Sequence, residues 1–123
     1  MKLDDATVKR LQTHWEDGWN NRDLDTIMAP FAPGIVFSSP GVSMMTGDAT
    51  RSTIEGTDAL RAYIEGALAR TSNVRYTLNQ TYVGTDSIVI TYTCTLPNHG
   101  DTPGSDLMRV DERGHIVEWR CHY

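Results

Sequence analysis

Sixteen acidic residues and four histidines could do acid–base chemistry, and Asp106 is one candidate among them. It stands in Ser105-Asp106-Leu107-Met108-Arg109, just after a polar stretch. At the solvent-exposed start of a strand it would be an ordinary surface carboxylate. In an apolar cavity, desolvation would raise its pKa and keep it neutral, able to donate a hydrogen bond. His14, beside Trp15, brings a group that titrates near neutral pH. A lone histidine on a mostly polar helix side is more often a surface or capping residue. Ser39 carries a hydroxyl that is no base near neutral pH without an activating neighbour. Tyr63, Tyr76 and Tyr92 offer apolar bodies with polar tips, suited to a cavity wall or to plain core packing.

Other chemistries lack their residues. His14, His99, His115 and His122 show no H-x-H or H-E-x-x-H spacing, so no metal site is expected. No G-x-G-x-x-G, Walker or G-x-S-x-G pattern occurs, and no cofactor is expected. Cys94 and Cys121 have neither disulfide-scaffold nor metal-ligand spacing and read as two reduced, packed thiols.

The elements that must position these groups follow from periodicity. Val8, Leu11, Trp15 and Trp19 recur at helical spacing and predict a helix over 5–19, with Asp4 or Asp5 as cap. Asp23 caps a second short helix, with Leu24, Ile27, Met28 and Phe31 on one face and Pro30 near its end. Residues 34–40 read as a strand with Ile35, Phe37 and Ser39 on one face, and 41–55 as a loop carrying Met44 and Met45. A third helix starts at Gly56-Thr57, capped by Thr57, with Leu60, Tyr63, Ile64, Ala67 and Leu68 as its apolar face. The rest is β: strands 73–83, 87–96, 105–111 and 115–123, with a loop at 97–104 and a turn at Asp111-Glu112-Arg113-Gly114. On the last strand Val117, Trp119, Cys121 and Tyr123 share a face by alternation, opposite Glu118, Arg120 and His122. The order ααβαββββ implies an α+β domain with helices on one face of a mostly antiparallel sheet, leaving a cavity between them.

Length and charge bound the rest. The chain has 123 residues, 39% apolar and 22% charged, which fits one globular domain spanning 1–123. No run approaches the ~18 apolar residues of a membrane span. The N-terminus, Met1-Lys2-Leu3-Asp4-Asp5, has no export signal, which points to the cytoplasm. A net charge of −5 with scattered basic residues argues against nucleic acid or an anionic membrane as partner.

The stretch Trp15-Glu16-Asp17-Gly18-Trp19-Asn20-Asn21-Arg22-Asp23-Leu24-Asp25-Thr26-Ile27 resembles the early helical segment of nuclear-transport-factor-2-like proteins. Gly56-Thr57-Asp58-Ala59-Leu60-Arg61 looks like that superfamily's third-helix start, and residues 105–118 look like its closing hairpin. The resemblance spans nearly the whole chain, SnoaL-like in character and similar to ketosteroid isomerase. It implies a cone-shaped fold, three N-terminal helices packed on a strongly curved, mostly antiparallel sheet enclosing a cavity. It sets Asp106 at the oxyanion-hole aspartate, Trp15 at the oxyanion tyrosine and Ser39 at the general-base aspartate of the isomerase. The activity it implies is cofactor-independent isomerisation, cyclisation or dehydration of a small apolar or cyclic carbonyl compound. Asp106 would carry the proton, assisted by His14 and Trp15. Trp19, Phe37, Ser39, Tyr63, Tyr92, Met108, Trp119, Cys121 and Tyr123 would line the ligand site. It further implies a homodimer through the outer sheet face. The alternative is a non-catalytic ligand-binding or dimerisation module of the same fold.

Overall fold

The computed structural model describes residues 3–123; Met1 and Lys2, at the head of the polar N-terminal segment, lie outside the described residues. Helix α1 (Asp5–Asn20) starts where the Asp4 side chain accepts a hydrogen bond from the Thr7 N–H, 2.7 Å away. Its stripe buries Leu11, Trp15 and Gly18. Helix α2 (Leu24–Met28) is capped in the same way by Asp23, through Thr26. The two helices touch at Gly18: a Cβ there would lie 2.9 Å from Ile27 Cγ1, so a larger residue would push α2 away.

Phe31 is not on the α2 face. It opens strand β1 (Phe31–Ser38), because Pro30 stops the helix before it. Strand β1 runs beside Ile116 at Phe31 and shifts register before Val36. The shift spans Pro33-Gly34, where proline has no N–H to give to a ladder. The stretch expected as the loop 41–55 holds two elements. Helix α3 (Pro40–Thr46) has Ser39 as cap and Pro40 in its first turn, and ends at Gly47 in the left-handed region (φ 73°). Strand β2 (Thr53–Glu55) pairs antiparallel with β1. Helix α4 (Thr57–Arg70) follows Gly56, which takes φ 88°; Thr57 is the first helical residue, not a side-chain cap. The helices therefore number four among the described residues rather than three.

Strands β3 (Arg75–Val83), β4 (Ser87–Leu96), β5 (Gly100–Val110) and β6 (Ile116–His122) complete one six-stranded sheet in the order β2-β1-β6-β5-β4-β3. Every neighbouring pair is antiparallel except β1 and β6. Strand β5 begins at Gly100, opposite Leu96, so most of the expected loop 97–104 is strand. Backbone pairing at the open end of the sheet needs no apolar side chain, which is why composition did not reveal it. Register shifts in β1, β3 and between β5 and β6 bend the sheet around the helices. The result is the α+β, cone-shaped architecture expected. Leu60 and Ile64 of α4, Leu11 and Trp15 of α1, and Ile88, Ile90, Met108 and Ile116 of the sheet form its core.

Polar residues of α1 close one sheet edge. The Asn20 amide donates to the Tyr76 carbonyl and accepts from the Tyr76 N–H, both at 2.7 Å, and Glu16 accepts from the Leu78 N–H at 2.8 Å. These side chains occupy the outward backbone groups of β3, which has no strand beyond it. No helix of the described residues is long and apolar enough to cross a membrane.

Candidate active site

The wide end of the cone encloses a cavity of about 640 Å³, within the usual range for a small-molecule site. Asp106 lies on its floor, 2% exposed, so the surface-carboxylate reading does not hold. Its position follows from alternation on β5: Asp106, Met108 and Val110 face inward and are buried.

Three aromatic donors surround the carboxyl group. Trp15 Nε1 donates to Oδ2 at 3.1 Å from α1, and Trp119 Nε1 donates to the same oxygen at 2.9 Å from β6. The Tyr92 hydroxyl donates to Oδ1 at 3.1 Å from β4. An indole N–H is a donor only, so Oδ2 must accept from both. When Asp106 carries a proton, that proton sits on Oδ1, the oxygen shared with Tyr92. Burial raises the Asp106 pKa, and the hydrogen bonds from Trp119, Trp15, Tyr92 and Cys121 work against it; the upward direction prevails. The Tyr92 phenol is pushed up too, by burial first and then by the adjacent Asp106.

A second polar group sits near the mouth. Ser39 is buried, and its Oγ lies 2.7 Å from the Tyr123 hydroxyl and accepts from the Gly41 N–H at 3.1 Å. Tyr63 closes in from α4, its pKa pushed up to about 12 mainly by burial. A Cβ on Gly41 would lie 2.5 Å from Tyr63 Oη and 2.9 Å from Tyr123 Oη, so only glycine lets both phenols approach. Between the two groups the wall is aromatic. Phe37 packs against Tyr63 and Trp119, Trp19 against Tyr76 and Trp119, and Trp15 against Tyr76 and Tyr92. The Trp19 indole N–H is buried without a hydrogen-bond partner among the described residues.

Trp15, Trp19, Phe37, Ser39, Tyr63, Tyr92, Asp106, Trp119, Cys121 and Tyr123 thus meet around one cavity. Two expected residues, His14 and Met108, do not line it, and Val117 leaves the strand face on which it was expected. His14 turns toward α2, where Nδ1 donates to the Thr26 carbonyl at 2.8 Å and the ring meets Phe31 edge-on. Burial lowers its pKa, and the ring serves the helix pair. Met108 shares the Asp106 face but lies deeper, 1% exposed in the core beneath the floor. Val117 falls at the register shift between β5 and β6, which takes it off the face shared by Trp119 and Cys121. Sequence reasoning passed over Ala67 and Arg70, which follow Tyr63 at i+4 and i+7, and Cys94 and Leu96, which alternate with Tyr92. Continuing the same periods would have found all four. Met44, Met45, Thr102 and Pro103 join the rim through α3 and the start of β5, elements that composition hid.

Among known proteins, the family model described as a SnoaL-like domain matches residues 12–119. No functionally curated protein matches the chain. Among solved structures, a SnoaL-like protein of unknown function from Burkholderia thailandensis is similar at 24% identity, with a TM-score of 0.87 over 100% of this chain and 98% of that one. RV0760c from Mycobacterium tuberculosis, in complex with estradiol-17β-hemisuccinate, is similar at 20% identity (TM-score 0.72, 95% of this chain and 92% of that one). TerC, co-crystallised with polyporic acid, is similar at 12% identity (TM-score 0.77, 95% and 90%). At these identities the likeness is one of fold.

Proposed function

This chain belongs to the SnoaL-like domain family, and from that premise and the site geometry we propose that it is a cofactor-independent acid–base enzyme acting on a small, mostly apolar, cyclic carbonyl compound. The observation that carries this is Asp106: a carboxyl group buried on the floor of an aromatic cavity, with one oxygen committed to two indole donors. The commitment leaves Oδ1 as the only position for an exchangeable proton. A ligand carbonyl entering the cavity would displace or join Tyr92 there.

As the neutral acid, Asp106 gives the Oδ1 proton to the ligand oxygen, and charge developing on that oxygen is met by a donor that needs no rearrangement. The resulting carboxylate then takes a proton from a neighbouring carbon of the ligand and is restored. One proton is given and one taken by the same group. That pattern serves isomerisation, aldol-type cyclisation or dehydration. Trp15 and Trp119 hold the carboxyl group and steady its ionised form. Ser39, which stands where the isomerase pattern has its base, sits in a hydroxyl cluster that would hydrogen-bond the ligand. Relatives of the same fold hold estradiol-17β-hemisuccinate and polyporic acid, ligands of cyclic type. The outer face carries a ladder of Arg109, Glu118 and Arg120, and we propose this face as a homodimer interface.

The test is a titration of phenols and naphthols of graded acidity, read by tryptophan fluorescence. Phenolates mimic an enolate, and Trp15 and Trp119 touch the proposed acid. Affinity should rise with phenol acidity in the wild type, and Asp106→Asn should flatten the trend. An absence of binding, or an unchanged trend in the variant, would sink the catalytic reading.

A further inference from the structure

Besides Asp106, the cavity wall carries one residue of formal charge, Arg70, in the last turn of α4. Asp106 is buried on the floor, whereas Arg70 is exposed at the rim. The arginine serves no contact within the protein. Arg10, Arg22, Arg61, Arg109 and Arg120 each donate to a carbonyl or a carboxylate. Arg70 bridges to no carboxylate among the described residues. Nor is it needed to close the helix end. Arg22 donates to the Thr71 carbonyl at 2.8 Å, and Thr71 Oγ1 donates to the Ala67 carbonyl at 2.7 Å. A cation in the last turn would suit the helix dipole from any side of α4, and this one stands on the cavity side. Thr102 marks the same rim on the sheet: it alternates with Gly104 and Asp106 on β5 and also lines the cavity. At about 3.4 Å per residue of extended strand, floor and rim are roughly 14 Å apart.

We propose that Arg70 selects ligands that carry a carboxylate at the end opposite the oxygen that meets Asp106. The proposal rests on the reading of this cavity as the ligand site, with Asp106 at its inner end, and it adds a substrate class. That class is an elongated amphiphile with a polar inner end, a cyclic apolar middle and a negative outer end. A guanidinium presents a planar fork of N–H groups, which matches the two oxygens of a carboxylate. Burial keeps Asp106 protonated over a wider pH range than usual, so Arg70 supplies the net charge of the wall. The chain as a whole carries −5, which repels anions everywhere except at such a point. Desolvation fixes the orientation of entry. A carboxylate pressed against Trp15, Phe37 and Trp119 would lose its hydration without a partner, so the apolar end goes in first. A hydrogen bond of about 3 Å at each end leaves roughly 8 Å between the inner oxygen and the carboxylate, the span of a two-ring skeleton.

Two probes test this on the intact protein by calorimetric titration at pH 7. One is 6-hydroxy-2-naphthoate, with its hydroxyl and carboxylate at opposite ends of two fused rings. The other is its methyl ester, which has the same rings and no charge. The wild type should bind the acid roughly five-fold or more tighter than the ester. Arg70→Gln, a change at an exposed position that leaves the core untouched, should cut that preference to near unity. Arg70→Glu should reverse it. Comparing the acid-to-ester ratio between wild type and variant cancels any difference in fit between the probes themselves. Equal binding of the two probes by the wild type, or a full preference retained in Arg70→Gln, would overturn selection by Arg70 and leave the reading of the cavity standing. Binding of neither probe would overturn both.

Discussion

Asp106 shows how one carboxyl group's environment sets both its chemistry and its cost. Its folded pKa lies above its unfolded value, because burial outweighs the hydrogen bonds from Trp119, Trp15, Tyr92 and Cys121. Below the unfolded pKa both states are protonated and the native state carries no penalty. As pH rises from the unfolded pKa toward the folded pKa the native state keeps a proton that the unfolded state has lost, so stability falls by about 1.4 kcal/mol per pH unit until the native group ionises as well. Asn mimics the neutral acid, its carbonyl accepting from the two indoles and its amide donating to Tyr92. Asp106→Asn should therefore be more stable than the wild type at pH 8, and the gap should vanish below about pH 4. Urea denaturation at both pH values checks this; a variant less stable at pH 8 would refute it. Asp106 itself was legible as a candidate from residue type and from the resemblance. Its partners were not: Trp119 was expected only as lining, and nothing local reveals that two indoles from elements 104 positions apart share one oxygen.

At the scale of elements, the long periodic segments were legible and the short ones were not. The stripe through Leu11 and Trp15, and the alternation of Ile88, Ile90 and Tyr92, reflect burial of one face, which a sequence records directly. Helix α3 buries only Val42, and the first part of β5 buries nothing, so no hydrophobic pattern marks them. They exist because Ser39 and Pro40 start a helix and because β4 offers a paired edge. That pairing also places Gly104 opposite Tyr92. A Cβ on Gly104 would lie 2.5 Å from the Tyr92 ring, so the ring rests on bare backbone and its hydroxyl reaches Asp106. Gly104→Ala should lift Tyr92 off the carboxyl group and destabilise the protein by about 1–3 kcal/mol. A denaturation midpoint equal to that of the wild type would show that the ring is not so held.

At the scale of the whole molecule, the open question is what covers the outer sheet face. There Glu118 bridges Arg109 at 3.2 Å and Arg120 at 2.8 Å, in partly exposed pairs that contribute little alone. If this face joins two copies, sedimentation equilibrium at micromolar concentration should give twice the 13.7 kDa chain mass. Glu118→Lys, which sets three like charges side by side, should shift the balance toward monomer. A wild-type monomer at that concentration would refute the interface.

What the sequence determined by itself is the layering: which segments are amphipathic, in what order, and hence that helices must cover one face of a curved sheet. These features depend on neighbours three or four residues apart in a helix and two apart in a strand, so local chemistry suffices. Only the tertiary structure decided the site. Trp15, Tyr92, Asp106 and Trp119 converge because strand register and sheet bending bring four elements to one point, and register is set by the summed pairing of whole strands. The same physics explains His14 and Val117. A one-residue register shift carried Val117 off its expected face, and the helix-to-helix packing of α1 on α2 claimed the imidazole that sequence reasoning had assigned to the cavity.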